Sequence, residues 1–227
     1  LSRIRDVLLA RFGDNVFNRV VYTESHDEVA NGKARLPEEI WPGHAKSWFS
    51  RKRSTLGAAI VLTAPGIPML FQGQEFLEDR WFDDRDPLDW HRAATLPGVV
   101  QLYRDLIHLR RNSCGTTHGL TGQHIEIMHL DQEAKLLAYH RWAEGGPGDS
   151  VVVVLNLANR QVQDYRLGFP AKGLWKLRFD SHAADYADDY TDQVSADVEV
   201  EDAQGRVSIA PYSALIYSQD VRVGTVR

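Results

Sequence analysis

One cysteine, Cys114, is the whole thiol content of the chain, so no internal disulfide can form and nothing calls for an oxidising compartment. No apolar run approaches the roughly 20 residues of a membrane span. The longest, Ala58 to Ala64, already contains a threonine. No excess of positive charge is present: 26 Lys and Arg face 31 Asp and Glu, a net charge of -5, which argues against nucleic acid as the main partner. No signal-peptide pattern opens the chain, because Arg3, Arg5 and Asp6 interrupt any apolar stretch. The expected location is therefore cytoplasmic. The first residue is Leu1 rather than Met, so the chain is expected to be processed or a piece of something longer. What is present is ordinary for a folded protein: 43% apolar and 10% aromatic residues among 227. That length fits one large domain or two ordinary ones.

The two halves have different grammar. In the first, Ile4, Val7, Leu8 and Phe12 fall at helical spacing, with Ser2 as a cap and Gly13 as a stop. Phe17 to Thr23 is β-branched and aromatic, the profile of a buried strand. A long loop follows, then a helix over His44–Thr63 with Phe49, Leu56 and Ile60 on one face. Met69 to Phe71 reads as a very short strand, and Gly73 to Ala94 as a loop with seven acidic residues and two tryptophans. Val99, Leu102, Tyr103, Leu106, Ile107 and Arg110 mark the cleanest helix. Strands separated by helices predict parallel pairing, and the long loops after the strands are where such a fold builds its site.

The second half has no helical period. Strand-like runs near 124–130, 135–142, 150–157, 161–167, 174–180, 205–210 and 213–218 predict an antiparallel β-sandwich. The expected domains are 1–114, α/β, and 115–227, all-β.

Candidate chemistry lies after the two first-half strands. Glu24, His26, Asp27 and Glu28 crowd five residues where the first long loop begins. A fixed carboxylate there can stabilise positive charge on a reacting carbon, and a carboxylate beside a histidine can bind sugar hydroxyls. A solvated charged loop is the alternative. Glu75, in Gly73-Gln74-Glu75-Phe76, reads as a structural carboxylate bonded to nearby backbone. Trp41 and Trp81, on loops, are candidates to stack on sugar rings, whereas Trp48 reads as core. Lys33 and Arg35 could reach sugar hydroxyls or merely be solvated. Asp83, Asp84, Asp86 and Asp89 lack calcium-loop spacing, and His118, His124 and His129 lack zinc spacing, so no metal is expected. The aspartate-rich run from Asp180 to Asp192 reads as a solvated loop.

Val21-Tyr22-Thr23-Glu24-Ser25-His26-Asp27 resembles the fourth conserved region of the α-amylase superfamily, and Gly66-Ile67-Pro68 through Phe76 resembles its segment at barrel strand eight. Ser25 to Val29, Gly32-Lys33, Gln74-Glu75-Phe76, Pro87 to His91 and Pro211 to Ala214 are similar to the 1,4-α-glucan branching enzymes. The resemblance implies the last strands of a (β/α)8 barrel, strands seven and eight, followed by a C-terminal β-sandwich. It implies Asp27 as transition-state stabiliser, His26 as a substrate contact, and Glu24, Lys33, Trp41 and Trp81 as substrate-binding. The family's nucleophile and acid/base are absent from this chain, which alone is expected to be inactive. The implied substrate is an α-glucan, with no cofactor, nucleic acid or membrane partner. Two alternatives stand beside branching: an α-amylase-like or debranching hydrolase, and a non-catalytic glucan-binding fragment.

Overall fold

The computed structural model describes residues 1–190 and 194–220. Helix α1 (Ser2–Leu9) opens the chain, with Leu1 rather than Ser2 at its cap position. It stops before Gly13 because Ala10 is already extended, and this leaves Phe12 on the surface, 67% exposed. Strands β1 (Val20–Val21) and β2 (Ile67–Pro68) pair in parallel, Val20 opposite Ile67 and Val21 opposite Pro68. Both are shorter than the apolar runs that announced them. Met69 to Phe71 leaves the ladder, although the Met69 amide still donates to the Val21 carbonyl at 2.9 Å.

Between these strands come the one-turn helices α2 (His26–Val29) and α3 (Leu36–Ile40), then α4 (Trp48–Thr63). Helix α4 starts four residues later than its pattern predicts. Ser47 is the reason: its Oγ accepts the Ser50 amide at 3.1 Å, supplying a capping acceptor that His44 lacks. The short α5 (His91–Thr95) leads into α6 (Pro97–Arg110), which carries the predicted Val99-to-Arg110 pattern and opens on Pro97, a residue that suits the first turn.

The second half is all-β. Strands β3 (His124–Asp131), β4 (Leu136–Trp142), β5 (Val151–Asn156), β6 (Val162–Gly168), β7 (Gly173–Asp180), β9 (Gln204–Ile209) and β10 (Ser213–Ser218) match the alternation, and β8 (Val198–Val200) is additional. Six form one antiparallel sheet in the order β3-β4-β5-β10-β7-β8, and β6 pairs with β9 as a separate ribbon. Alternate side chains of the sheet enter two cores. Leu136, Ala138, Val152, Val154, Leu215 and Tyr217 meet Trp175, Leu167 and Val207 on the ribbon side. Leu137, Tyr139, Val153, Leu155 and Ile216 join Leu56, Leu62, Leu102 and Leu106 of α4 and α6 in the other. Coverage on both faces explains why β5 and β10 read as continuous apolar runs and are buried at every position. The core on the helix side therefore crosses the boundary expected near residue 114. No helix among the described residues is long and apolar enough to cross a membrane.

The aspartate-rich run is the clearest correction to the sequence reading. Its aromatic residues are packed while Asp185, Asp188 and Asp189 stay exposed: Tyr186 and Tyr190 are buried, Arg51 pairs with Asp189, and the Tyr186 hydroxyl donates to Asp105 at 2.7 Å. Asp192 lies outside the described residues.

Candidate functional site

Parallel pairing of β1 and β2 sends both following segments out from the same end of the ladder. Beyond β1, Glu24 comes first. Its side chain is only 3% exposed and that of Arg35 only 1%. Arg35 Nε donates to Glu24 Oε2 at 2.9 Å, and the Leu36 amide donates to Oε1 at 2.6 Å. Burial pushes the Glu24 carboxyl up, while the Arg35 charge and the Leu36 amide work the other way. Both oxygens are engaged inside the protein, so Glu24 is corrected from a substrate contact to a structural carboxylate. Arg35 is likewise buried rather than solvated; its Nη2 reaches the Gln72 carbonyl at 2.8 Å.

His26 and Asp27 follow on the first turn of α2, not at the strand end where the sequence placed them. The turn forms because the Ser25 carbonyl accepts the amides of Glu28 and Val29. His26 Nε2 lies 3.2 Å from Asp27 Oδ1, and the two side chains are 66% and 84% exposed. Lys33 Nζ donates to the Asp27 carbonyl at 2.9 Å, so it braces this turn. Val29 anchors the turn inward, and its carbonyl accepts the Phe82 amide at 2.6 Å from the second loop.

The second loop is shaped by Gly73, whose φ of +87° is left-handed and whose missing Cβ would lie 2.7 Å from that of Glu78. Gln74 ties the two loops, donating to Thr23 Oγ1 at 2.7 Å and accepting the Phe71 amide at 2.6 Å. Glu75 lines an open cleft of about 360 Å³ with Leu70, Phe71, Tyr103 and Arg104. The backbone-bonding carboxylate of this loop is instead Glu78, which accepts the Asp89 amide and pairs with Arg80. Burial would raise the Glu78 pKa, but these bonds prevail and bring it down to about 2.

The aromatic candidates have different surroundings. Trp41 is 42% exposed and rests on His44, ring centres 4.4 Å apart, with Phe49 beyond. Trp81 is 44% exposed beside Arg80 and Leu88. Trp48 packs partly buried against the core. Three aspartates of the second loop serve local structure, Asp83 pairing with Arg85, and Asp79 and Asp89 with Arg92.

The arrangement offers an exposed carboxylate beside an imidazole, on a segment whose ends are closed by a buried ion pair. It can present one charge to a sugar ring. A retaining glycosidase needs a second carboxyl, roughly 5–5.5 Å from the first, so that one serves as nucleophile and one as acid/base. Arg35 and Gln74 as tethers escaped the sequence reading, because each acts on a partner remote in sequence and no local pattern marks them.

Comparison with known proteins places these features in context. Residues 127–220 match the α-amylase C-terminal all-β domain. A 1,4-alpha-glucan branching enzyme of Burkholderia thailandensis is 35% identical over 171 residues, 71% of this chain and 19% of the relative. One from Pseudomonas syringae pv. syringae is 35% identical over 175 residues, 74% of this chain and 23% of the relative. The chain thus spans about a fifth of the length of these curated relatives. Among solved structures, a pullulanase from Anoxybacillus sp. complexed with maltotetraose shares the fold, with TM-score 0.61 and 24% identity, over 88% of this chain and 28% of that one. An α-amylase from H. orenii does so with TM-score 0.59 and 19% identity, over 88% of this chain and 40% of that one.

Proposed function

We propose, starting from a chain related to the C-terminal portion of the α-amylase superfamily and its 1,4-α-glucan branching enzymes, that it is such a portion of a branching enzyme. Residues 1–114 would contribute strands seven and eight of a (β/α)8 barrel, and 115–227 the C-terminal β-sandwich. The observation that carries this reading is the parallel β1–β2 pair with both matched motifs on the segments leaving one end of it. Active sites of parallel barrels are built from such segments.

In the reaction, a carboxylate outside this chain attacks the anomeric carbon of an α-1,4 link. An acid, also outside, protonates the departing 4-hydroxyl. The glucan is then held as a covalent ester. The 6-hydroxyl of another chain displaces the carboxylate, giving up its proton to the same acid/base group, and an α-1,6 branch is left. Asp27 would stabilise the positive charge on the anomeric carbon in both transition states. His26 and Lys33 would contact the bound sugar, and Trp41 and Trp81 would stack on rings further along the glucan. A debranching or amylase-like hydrolase is the second reading, favoured by the fold shared with a pullulanase. Water would then replace the 6-hydroxyl.

The test is made on the full product of the gene that carries this chain, given amylose. α-1,6 points are counted, and iodine staining is followed. Branch points are expected, with an Asp27→Asn loss of ~10²–10³ in rate or more. Reducing ends without α-1,6 points would replace branching by hydrolysis. Near-normal branching by Asp27→Asn would remove the role given to Asp27. Branching by the 227-residue chain alone would place the nucleophile within it.

A further inference from the structure

The segment that carries His26, Asp27 and Lys33 leaves the body of the protein at Glu24 and returns at Arg35 and Leu36. One carboxylate closes both ends. Glu24 Oε2 accepts Arg35 Nε at 2.9 Å, and Glu24 Oε1 accepts the Leu36 amide at 2.6 Å. The same guanidinium continues outward, with Nη2 donating to the Gln72 carbonyl at 2.8 Å and its carbon 5.1 Å from the centre of the Phe71 ring. The neck of the first loop is thereby locked, and the lock is bolted to the second loop just before Glu75. Between the two ends Val29 is buried and its carbonyl accepts the Phe82 amide at 2.6 Å, while the side chains of His26 and Asp27 are largely exposed.

We infer that the buried Glu24–Arg35 pair is a positioning device for Asp27, fixing the loop that carries it relative to the loop after β2. This rests on the reading of Asp27 as the charge-stabilising carboxylate. The physical case is one of stiffness. A loop pinned at its neck loses most of its freedom before substrate arrives, so the stabilising charge need not be placed during the reaction. A guanidinium suits the task because its planar fork serves two acceptors at once. Nη2 lies within 2.9 Å of both Glu24 Oε2 and the Gln72 carbonyl, while Nε holds Oε2 as well. Removal of the charge from Glu24 leaves Arg35 buried without its counter-charge, and the neck opens.

The experiment is a mutant cycle in the full gene product, with branching of amylose as readout. Glu24→Gln keeps size and removes charge. It is expected to lower kcat by ~10–100-fold, with KM within about threefold of the parent. In an Asp27→Asn background, the same change is expected to alter the residual rate by less than about threefold, since the group being positioned has already lost its charge. An equal fractional loss in both backgrounds would show a general structural effect and overturn the inference. So would an unchanged kcat for Glu24→Gln. Near-normal activity of Asp27→Asn alone is a different signature: it removes the role of Asp27 and leaves nothing to position. Arg35→Met, which keeps an apolar stem and removes every donor, provides the second route if Glu24→Gln does not fold. In either variant, amide hydrogen exchange over residues 26–34 should accelerate while the amides of α4 stay protected. Unchanged exchange over 26–34 would also overturn the inference.

Discussion

Lys52 sits in the second turn of α4 with no exposed surface, an unusual place for an ammonium. Its Nζ donates to Ser213 Oγ at 2.6 Å, lies 3.3 Å from His182 Nδ1, and stands 4.7 Å from the centre of the Tyr190 ring. Burial drives its pKa from 10.5 down to about 7; Asp180 and Asp189 oppose this, and Arg51 adds to it. His182 is pushed down to about 4 by burial and by Lys52. The folded pKa of Lys52 thus lies below the unfolded one. Between pH 7 and 10.5 the unfolded chain binds the extra proton, so stability must rise with pH across that window. At about 1.4 kcal/mol per pH unit, the ammonium costs the native state ~4–5 kcal/mol at and below pH 7. Lys52→Met removes that cost but also two hydrogen bonds of ~1 kcal/mol each. Ser213 Oγ keeps its bond to the Pro211 carbonyl, so no orphan donor remains. The variant should be more stable than the parent by ~2–3 kcal/mol near pH 7, and the advantage should shrink toward zero by about pH 9. Urea unfolding of the chain at sub-micromolar concentration, followed by tryptophan fluorescence, measures both curves. A parent stability that is flat from pH 7 to 9, or a variant whose deficit is the same at every pH, would refute the reasoning.

The remaining expectations concern surfaces and close contacts. Val20, Tyr22 and Ile67 are 49%, 41% and 48% exposed on and beside the short parallel pair, whose outer edges are unpaired among the described residues, so the isolated chain should self-associate as its concentration rises. Sedimentation equilibrium that returns a single monomer mass up to tens of micromolar would contradict this. At Gly98 in α6, an added Cβ would meet the Tyr186 carbonyl oxygen at 2.1 Å, and backbone cannot move aside cheaply. Gly98→Ala should therefore cost ~2–4 kcal/mol in the same urea assay, against the usual gain for alanine in a helix. A stabilised Gly98→Ala would mean that the 181–190 segment is not docked on α6 as described.

The second half was largely legible because alternation is a strong local signal. Trp175, Leu177 and Phe179 already mark β7 in the sequence, and only β8, three residues long, escaped notice. The first half was legible in its motifs more than in its elements. Two residues of ladder are enough to align β1 with β2, so the long apolar runs around them overstate the strands. The sequence proposed the candidate site at Asp27 and His26, which the structure sets side by side on the exposed first turn of α2. The buried pair beneath it was not legible, since Glu24 and Arg35 carry charge, and charge reads as surface until a tertiary partner is known. Likewise Asp189 and Tyr190 sit in a polar, aspartate-rich run whose docking depends on Arg51, more than a hundred residues away in the chain.

The six-stranded sheet has a consequence for how such proteins can be assembled from parts. One of its faces is roofed by α4 and α6, elements that precede it in the chain, and Arg141 of β4 donates to the Thr63 carbonyl at the end of α4. A graft that begins at residue 115 would carry the sheet without its roof, exposing Leu137, Tyr139, Val153 and Ile216 to water. The transferable unit is therefore not what lies beyond the linker. Recombination, natural or engineered, should succeed where the two helices travel with the strands, and fail where the cut follows the change in sequence grammar.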